Sequence, residues 1–174
     1  KGVYTSLLLG DGEYSTKYSE YSNEVPKSLY GIYFNTLSPL KVDESIYFLF
    51  PGGGLLFQFK NNAIIRVDES FAHRNQYSGF FFSHKNELYL LGGYGYWEAK
   101  NYLTKFNFQS KSWDIVPTQG SAPKGGINQG SFIKNEESVL VYDFYTRNPS
   151  TSADKKNKNL FELDLSKLEW FKRG

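Results

Sequence analysis

The chain has no cysteine, no methionine and only two histidines among its 174 residues. Without cysteine it can form neither disulfide bonds nor thiolate metal sites, and it has no cysteine nucleophile. His73 and His84 cannot form a typical zinc site unless carboxylates join them. We therefore predict no metal and no cofactor. His84 stands in a Ser-His-Lys-Asn turn, where we expect a solvated side chain.

The sequence also lacks long apolar runs and a strong charge of one sign. No run approaches the roughly 18 apolar residues that a membrane span needs, so we expect no transmembrane segment. The 20 basic and 18 acidic residues give a formal net charge of +2. Because this balance leaves no basic footprint, a nucleic-acid partner is not expected. None of these features indicates a cellular compartment.

Aromatic residues and glycine are abundant instead. Phe, Tyr and Trp make up 18% of the chain, which favours strands over helices, and the 16 glycines suit a fold with many turns. No long stretch has helical spacing, so we predict an all-β protein. The chain begins at Lys1 and contains no methionine, so we expect a processed protein or a piece of a longer one.

A pattern of short strands recurs along the chain. Four residues of the central copy recur 57 positions later: Leu103, Phe106, Phe108 and Trp113 correspond to Leu160, Leu163, Leu165 and Trp170. An upstream copy places Phe57, Phe59 and Ile64 at positions 49 residues before Phe106, Phe108 and Trp113. A period of about 50 residues with several short strands is typical of a propeller blade, because packing blades around an axis buries both faces of each sheet.

The central copy resembles the kelch repeat family. Leu91-Gly92-Gly93 closes its second strand, and Trp113 follows the later strands after a short turn. In that family the di-glycine ends the second strand and the tryptophan packs between adjacent blades, a role the resemblance extends to Trp170. The third copy departs from the pattern, with Asp143-Phe144 in place of the glycines. The resemblance covers roughly residues 30–174 and implies a kelch-type β-propeller.

We predict a single domain over residues 1–174, or part of one. Three four-stranded blades are expected at about residues 29–70, 71–120 and 121–174, preceded by an irregular segment or partial blade at residues 1–28. Propellers typically have about four to eight blades. We therefore expect either a further partial blade from residues 1–40 or a ring closed by other sequence. A fragment of a larger ring is the favoured interpretation.

The loop after the di-glycine holds the most distinctive residues of the chain. It carries Tyr94, Tyr96, Trp97 and Glu98, and inter-strand loops of a propeller gather at one end of the ring. Trp97 has no counterpart in the other copies. It either packs onto its own blade or forms a binding surface, since Trp and Tyr are enriched at binding hot spots. Glu98 beside exposed aromatics could bind a sugar or a basic peptide.

A polar insertion at residues 145–158 is predicted to be a loop between two strands. It is either a solvated loop or a recognition loop for an acidic partner. The complete candidate surface consists of Tyr94, Tyr96, Trp97, Glu98, Arg147, Lys155 and Lys156.

The leading functional hypothesis is a binding or scaffolding module that recognises a protein or glycan partner through these loops. One alternative is an enzyme of carbohydrate or sialic-acid metabolism that uses Glu98 with Arg74 or Arg147. Another is a structural subunit that completes a propeller by associating with further blades. No second acid accompanies Glu98, so we predict no catalytic residues. Copper radical oxidases with kelch-like propellers need a cysteine-tyrosine crosslink, which this chain cannot form.

Overall fold

The computed structural model describes residues 37–50, 54–60, 63–69, 76–128, 130–147 and 154–174. Within these residues the regular elements are all β-strands, which confirms the all-β prediction. No helix in the described part is long and apolar enough to cross a bilayer. The predicted partial blade at residues 1–28, together with His73 and Arg74, lies outside the described residues.

The strands follow one another at short intervals. In chain order they are β1 (Ser38–Val42), β2 (Ser45–Leu49), β3 (Leu56–Lys60), β4 (Ala63–Arg66), β5 (Phe80–His84), β6 (Glu87–Leu91), β7 (Tyr94–Gly95), β8 (Glu98–Ala99), β9 (Leu103–Asn107), β10 (Ser112–Val116), β11 (Gln119–Gly120), β12 (Ser131–Lys134), β13 (Ser138–Tyr142), β14 (Phe144–Arg147), β15 (Asp154–Asn157), β16 (Phe161–Asp164) and β17 (Glu169–Lys172).

These strands form three main sheets and two small hairpins. The first sheet has the order β1-β2-β3-β4, the middle sheet β10-β9-β6-β5, and the third sheet β11-β17-β16-β13-β12. Neighbouring strands are antiparallel, except that the short β11 runs parallel to β17. The hairpins β7–β8 and β14–β15 extend from the middle and third sheets.

The middle and third sheets share one internal register. Trp113 pairs with Phe106, and Trp170 pairs with Leu163 at the equivalent position. The turns before the two tryptophans are built alike as well. Asn107 Oδ1 accepts hydrogen bonds from the backbone N–H groups two and three residues later, and Asp164 Oδ1 does the same in the third sheet. The 57-residue correspondence therefore describes the same hairpin twice.

The correspondence of the upstream copy is wrong by two residues. Ile64 pairs with Phe59, so Phe59 and not Phe57 occupies the position of Phe106. The cause is the connection between β3 and β4, which is two residues shorter than the turn between β9 and β10. A fixed offset therefore aligns the last strands and misaligns the strand before them.

Along each strand of the middle sheet, alternate residues face the first sheet and the third sheet. Leu88, Leu90 and Phe106 pack with residues of the first sheet such as Tyr47 and Leu56. Because successive strand residues point to opposite faces, the residues between them face the other way.

The second face of the middle sheet packs on the third sheet. Tyr89, Leu91 and Leu103 lie in one buried cluster with Val139 and Leu163. Leu91 and Leu103 are fully buried there. The middle sheet is thus covered on both sides, with a separate hydrophobic core on each.

The two repeated tryptophans both lie against these cores. Trp113 packs on Phe81 and Phe106, and its Nε1 donates a hydrogen bond of 2.9 Å to the carbonyl oxygen of Gly54 beside the first sheet. Trp170 is almost completely buried in the core between the middle and third sheets.

Weak alternation at residues 29–34 predicts a strand that lies outside the described residues, and the outer described strand of the first sheet is Ser38–Val42. The glycine and proline residues of 117–126 predict an irregular crossover, yet Gln119–Gly120 within it adds a short strand to the third sheet.

The predicted environment of His84 is also wrong. The turn residues are Lys85 and Asn86, so His84 is the last residue of β5 and is buried. Its Nε2 lies 3.8 Å from Glu137 Oε2 in the turn before β13, and its ring centroid lies 6.4 Å from that of Tyr89.

Gly125 and Gly126 provide a matched test of close backbone packing. Both have positive φ, +79° and +83°, but a Cβ at Gly126 would overlap the Ala99 carbonyl, whereas at Gly125 the nearest atom is 3.5 Å away. We expect Gly125→Ala to lower the free energy of unfolding by about 1–2 kcal/mol through backbone strain. Gly126→Ala should cost at least about 2 kcal/mol more. Urea unfolding followed by tryptophan fluorescence measures both, and equal losses would contradict this packing.

Candidate binding surface

A continuous ladder of backbone contacts links the ends of the middle and third sheets. Tyr94 exchanges backbone hydrogen bonds with Tyr77, and the β7–β8 hairpin continues from Tyr94. The segment from Ile127 to Asn128 then joins the two sheets. Ile127 bridges to Lys100, and Asn128 bridges to Tyr145 of β14. The two hairpins therefore share one end of the molecule.

Glycine is required where this ladder is tightest. Gly93 has φ +92°, and its N–H donates to the Ile127 carbonyl at 2.8 Å. A Cβ on Gly93 would lie 2.6 Å from the backbone of Gln76. The second glycine of the di-glycine thus allows three segments to meet at the base of the β7–β8 hairpin.

The tip of that hairpin is a two-residue turn made of two aromatic residues, which we call the aromatic turn. Tyr96 has φ +48° and Trp97 has φ +70°, between the paired residues Gly95 and Glu98. Two-residue hairpin loops with positive φ at both positions strongly prefer Asn-Gly, because larger side chains are strained there. Both side chains are nevertheless exposed, at 68% and 71%.

The aromatic turn is strained and exposed, and neither property stabilises the folded protein. Bulky residues at positive φ cost free energy, and these two gain little from burial in return. Strain of this kind clusters at binding and catalytic sites. Packing of Trp97 onto its own sheet, the structural alternative for this residue, is not observed.

An acidic and a basic side chain follow the aromatic turn along the chain. Glu98 Oε1 accepts a 2.6 Å hydrogen bond from Lys100 Nζ, and the Lys100 side chain is mostly buried while that of Glu98 is exposed. Burial raises the pKa of the Tyr102 phenol, and the negative charge of Glu98 adds to that effect. Tyr102 therefore stays protonated at neutral pH and can donate a hydrogen bond.

The segment at residues 145–158 is more regular than predicted. Phe144–Arg147 and Asp154–Asn157 form the β14–β15 hairpin, with Tyr145 opposite Lys156 and Thr146 opposite Lys155. The other edge of β14 bonds to Asn128 through Tyr145, so β14 is bonded on both edges and the prediction of a plain loop is wrong.

The lysines of this hairpin have different surroundings. Lys156 Nζ lies 3.0 Å from Asp143 Oδ1, and this hydrogen bond raises the pKa of Lys156. Lys155 is exposed, and its carbonyl accepts a hydrogen bond from the Thr146 hydroxyl. The backbone of Arg147 pairs with that of Asp154 at the last described position of β14.

β8 of the β7–β8 hairpin contacts β14 of the β14–β15 hairpin, so the two hairpins that carry the candidate residues are neighbours. Lys100 and Tyr102 were missing from the predicted surface, although both stand within five residues of Trp97 in the sequence. In the described part of the chain, no group of three His, Asp or Glu side chains could hold a metal ion. Exposed aromatics with a salt bridge at their base are suited to binding.

Comparison with known proteins gives similarity to solved structures but no sequence match. No family model and no curated protein matches the chain. The chain is similar to the solved structure of YjhT, with 16% sequence identity and a TM-score of 0.61. The similarity covers 80% of this chain and 51% of YjhT, so the chain spans about half the length of that protein. At this identity the likeness concerns the fold.

Replacing the aromatic turn by Asn-Gly tests its strain. We expect Tyr96→Asn combined with Trp97→Gly to raise the free energy of unfolding by about 1–2 kcal/mol, because Asn and Gly adopt positive φ at low cost. The matched control is Lys85→Asn with Asn86→Gly, in another described two-residue turn with positive φ at both positions. That turn already carries Asn, so its gain should be smaller. Loss of stability in the first variant would show that the aromatics stabilise the fold.

Proposed function

We propose that the chain is part of a kelch-type β-propeller that serves as a binding module, with the aromatic turn as its main contact. The observation that carries this proposal is the exposure of two large aromatic side chains on a strained turn. A turn kept at a cost to stability is consistent with selection for recognition. The sheets and the di-glycine pattern support the kelch-type interpretation.

Three features support the propeller interpretation in particular. The sheets follow one another in sequence, pack face to face, and repeat one strand register. The fold likeness to YjhT covers about half of that protein. We therefore propose that the described sheets are consecutive blades of a larger ring.

The chemistry of the surface fits a protein or glycan partner. Tyr96 and Trp97 offer flat apolar faces that lose little conformational entropy on binding, as at protein hot spots. Glu98, Lys100 and Tyr102 beside them can accept or donate hydrogen bonds to hydroxyl or amide groups. Lys155 adds a positive charge from the neighbouring hairpin, which favours an acidic region of the partner.

Glycan and peptide arrays probed with the chain test this proposal. We expect Trp97→Ala to weaken any captured interaction by at least about tenfold, as for a hot-spot residue. The matched control is Ile115→Ala, which removes an equally exposed apolar side chain, 66% exposed, from the edge of the middle sheet. It should leave binding unchanged.

The Asn-Gly variant of the aromatic turn separates binding from folding. It should lose partner binding while gaining stability. Unchanged binding in both Trp97→Ala and the Asn-Gly variant would refute the aromatic turn as the contact.

A second candidate role is association with a further sheet. We define the outer face as Ile133, Leu140, Tyr142 and Phe171 on the side of the third sheet that faces away from the middle sheet. Ile133 occupies the position of Phe82, yet it is 63% exposed where Phe82 is 3% exposed.

Two other residues of the outer face also occupy positions that are buried in the middle sheet. Tyr142 occupies the position of the fully buried Leu91, and Leu140 that of Tyr89. In the middle sheet these positions contact the next sheet. We propose that the outer face receives a further four-stranded sheet of the same kind, supplied by other sequence.

Light scattering of the isolated chain tests this second role. With its outer face open, the chain should self-associate at about 100 µM, because exposed apolar sheet faces favour association. Ile133→Lys with Tyr142→Lys should make it monomeric. The control is Ile65→Lys with Ile115→Lys, which changes exposed apolar residues of the other two sheets. This control variant should still self-associate. A wild-type chain that is monomeric at this concentration would contradict the proposal.

A further inference from the structure

A cavity of about 660 Å³ lies beside the third sheet, and its lining shares no residue with the aromatic turn. Three stretches of the chain line it: the end of β11 with the crossover that follows, residues 157–161 between the end of β15 and the start of β16, and the last residue of β17. Its lining residues are Gly120, Ser121, Ala122, Lys124, Asn157, Asn159, Phe161 and Lys172. Cavities of a few hundred to about 1,000 Å³ are the size that holds small organic ligands.

The charge of the lining is positive. Lys124 and Lys172 supply two ammonium groups, and none of the described lining residues is Asp or Glu. Neither lysine forms an ion pair with another described residue, whereas Lys167 in the turn between β16 and β17 pairs with Asp164. Two unpaired cations around one concave surface attract an anion.

The asparagines of the lining present hydrogen-bond donors as well. Asn157 Oδ1 accepts hydrogen bonds from the Asn159 backbone N–H at 2.9 Å and from Asn159 Nδ2 at 2.7 Å. These bonds fix which way the Asn157 amide points, so its own NH₂ group is left to donate elsewhere. Asn159 retains its carbonyl oxygen as an acceptor. The cavity can therefore contact both an anion and neutral hydroxyl groups.

The walls of the cavity are held rigidly. Gly120 has φ +83° and lies too close to the Trp170 carbonyl for a side chain. The Ser121 N–H donates to that same carbonyl at 2.9 Å. Phe161 is buried and packs edge-to-face on Phe144, with 5.9 Å between ring centroids. A preformed cavity binds without a large ordering cost.

We propose that this cavity is a binding site for a hydroxylated organic anion of monosaccharide size. Lys124 and Lys172 contact its phosphate or carboxylate group, and the Asn157–Asn159 pair contacts its hydroxyl groups. The site shares no residue with the aromatic turn, so it adds a second binding function that is independent of the first.

Titration of the 174-residue chain by ligand-observed NMR at low ionic strength tests the proposal. The probes are glucose 6-phosphate, glucuronate, neutral glucose and inorganic phosphate. We expect a Kd below about 1 mM for at least one sugar anion, at least about tenfold weaker binding of inorganic phosphate, and no detectable binding of glucose. Binding of the phosphate ester alone or of the carboxylate alone would identify the anionic group.

Variants that each remove one lysine charge test whether the probes bind in this cavity. Lys124→Gln and Lys172→Gln should each weaken binding about tenfold, because each removes one charge-assisted contact. The matched control Lys41→Gln removes an exposed lysine from the first sheet and should change the affinity less than about twofold. All of these lysines are exposed, so the variants should fold normally.

Three outcomes would overturn the proposal. One is no binding of either sugar anion at about 10 mM. Another is equal weakening by Lys41→Gln and the two cavity variants, which would indicate general attraction to a basic surface. The third is equal affinity for inorganic phosphate and the sugar anions, which would indicate an adventitious ion only. The Asn-Gly variant of the aromatic turn should bind these probes normally.

Discussion

Burial of both faces of the middle sheet is the constraint on which the rest of the structure depends. Successive residues of β6 serve different cores: Leu90 packs toward the first sheet and Leu91 toward the third. A shift of one residue in the pairing would exchange these roles along the whole strand. Two flanking cores therefore fix the register of this sheet more firmly than one core could. They also fix where each strand ends, and hence where the connecting hairpins begin.

The strained aromatic turn depends on that same constraint. Its hairpin is anchored at the base, where Gly93 bonds to the Ile127 carbonyl and the chain leaves through Lys100 into the same ladder. A two-residue hairpin in isolation would relax to a turn better suited to its side chains. Here the closing strands are held by their neighbours, so Tyr96 and Trp97 remain at positive φ. A rigid end ladder can thus present aromatic side chains in a fixed direction, which lowers the entropy cost of binding them.

The sequence predicted the parts of this arrangement that repeat. Apolar alternation and the tryptophan spacing located the sheets, because core positions recur wherever sheets pack alike. It failed where turns differ in length, as between β3 and β4, since the offset between copies changes within the repeat. It also failed for Ser38–Val42, where a proline and flanking polar residues mask the strand. The aromatic turn was found because Trp97 has no counterpart, whereas the cavity was not, because its residues come from three separate stretches of the chain.

The two equivalent tryptophans show how a repeat departs from itself. Trp113 Nε1 bonds to the Gly54 carbonyl, while Trp170 Nε1 is buried with no partner among the described residues. An unsatisfied buried donor costs free energy, so the third sheet tolerates a loss that the middle sheet avoids. The position equivalent to Gly54 is Asn101, whose side chain instead bonds to the Pro123 carbonyl of the crossover. Polar contacts at this junction therefore hold the crossover that walls the cavity. At this position of the repeat, the hydrogen bond of Asn101 therefore fixes the crossover and leaves the buried Trp170 Nε1 without a partner among the described residues.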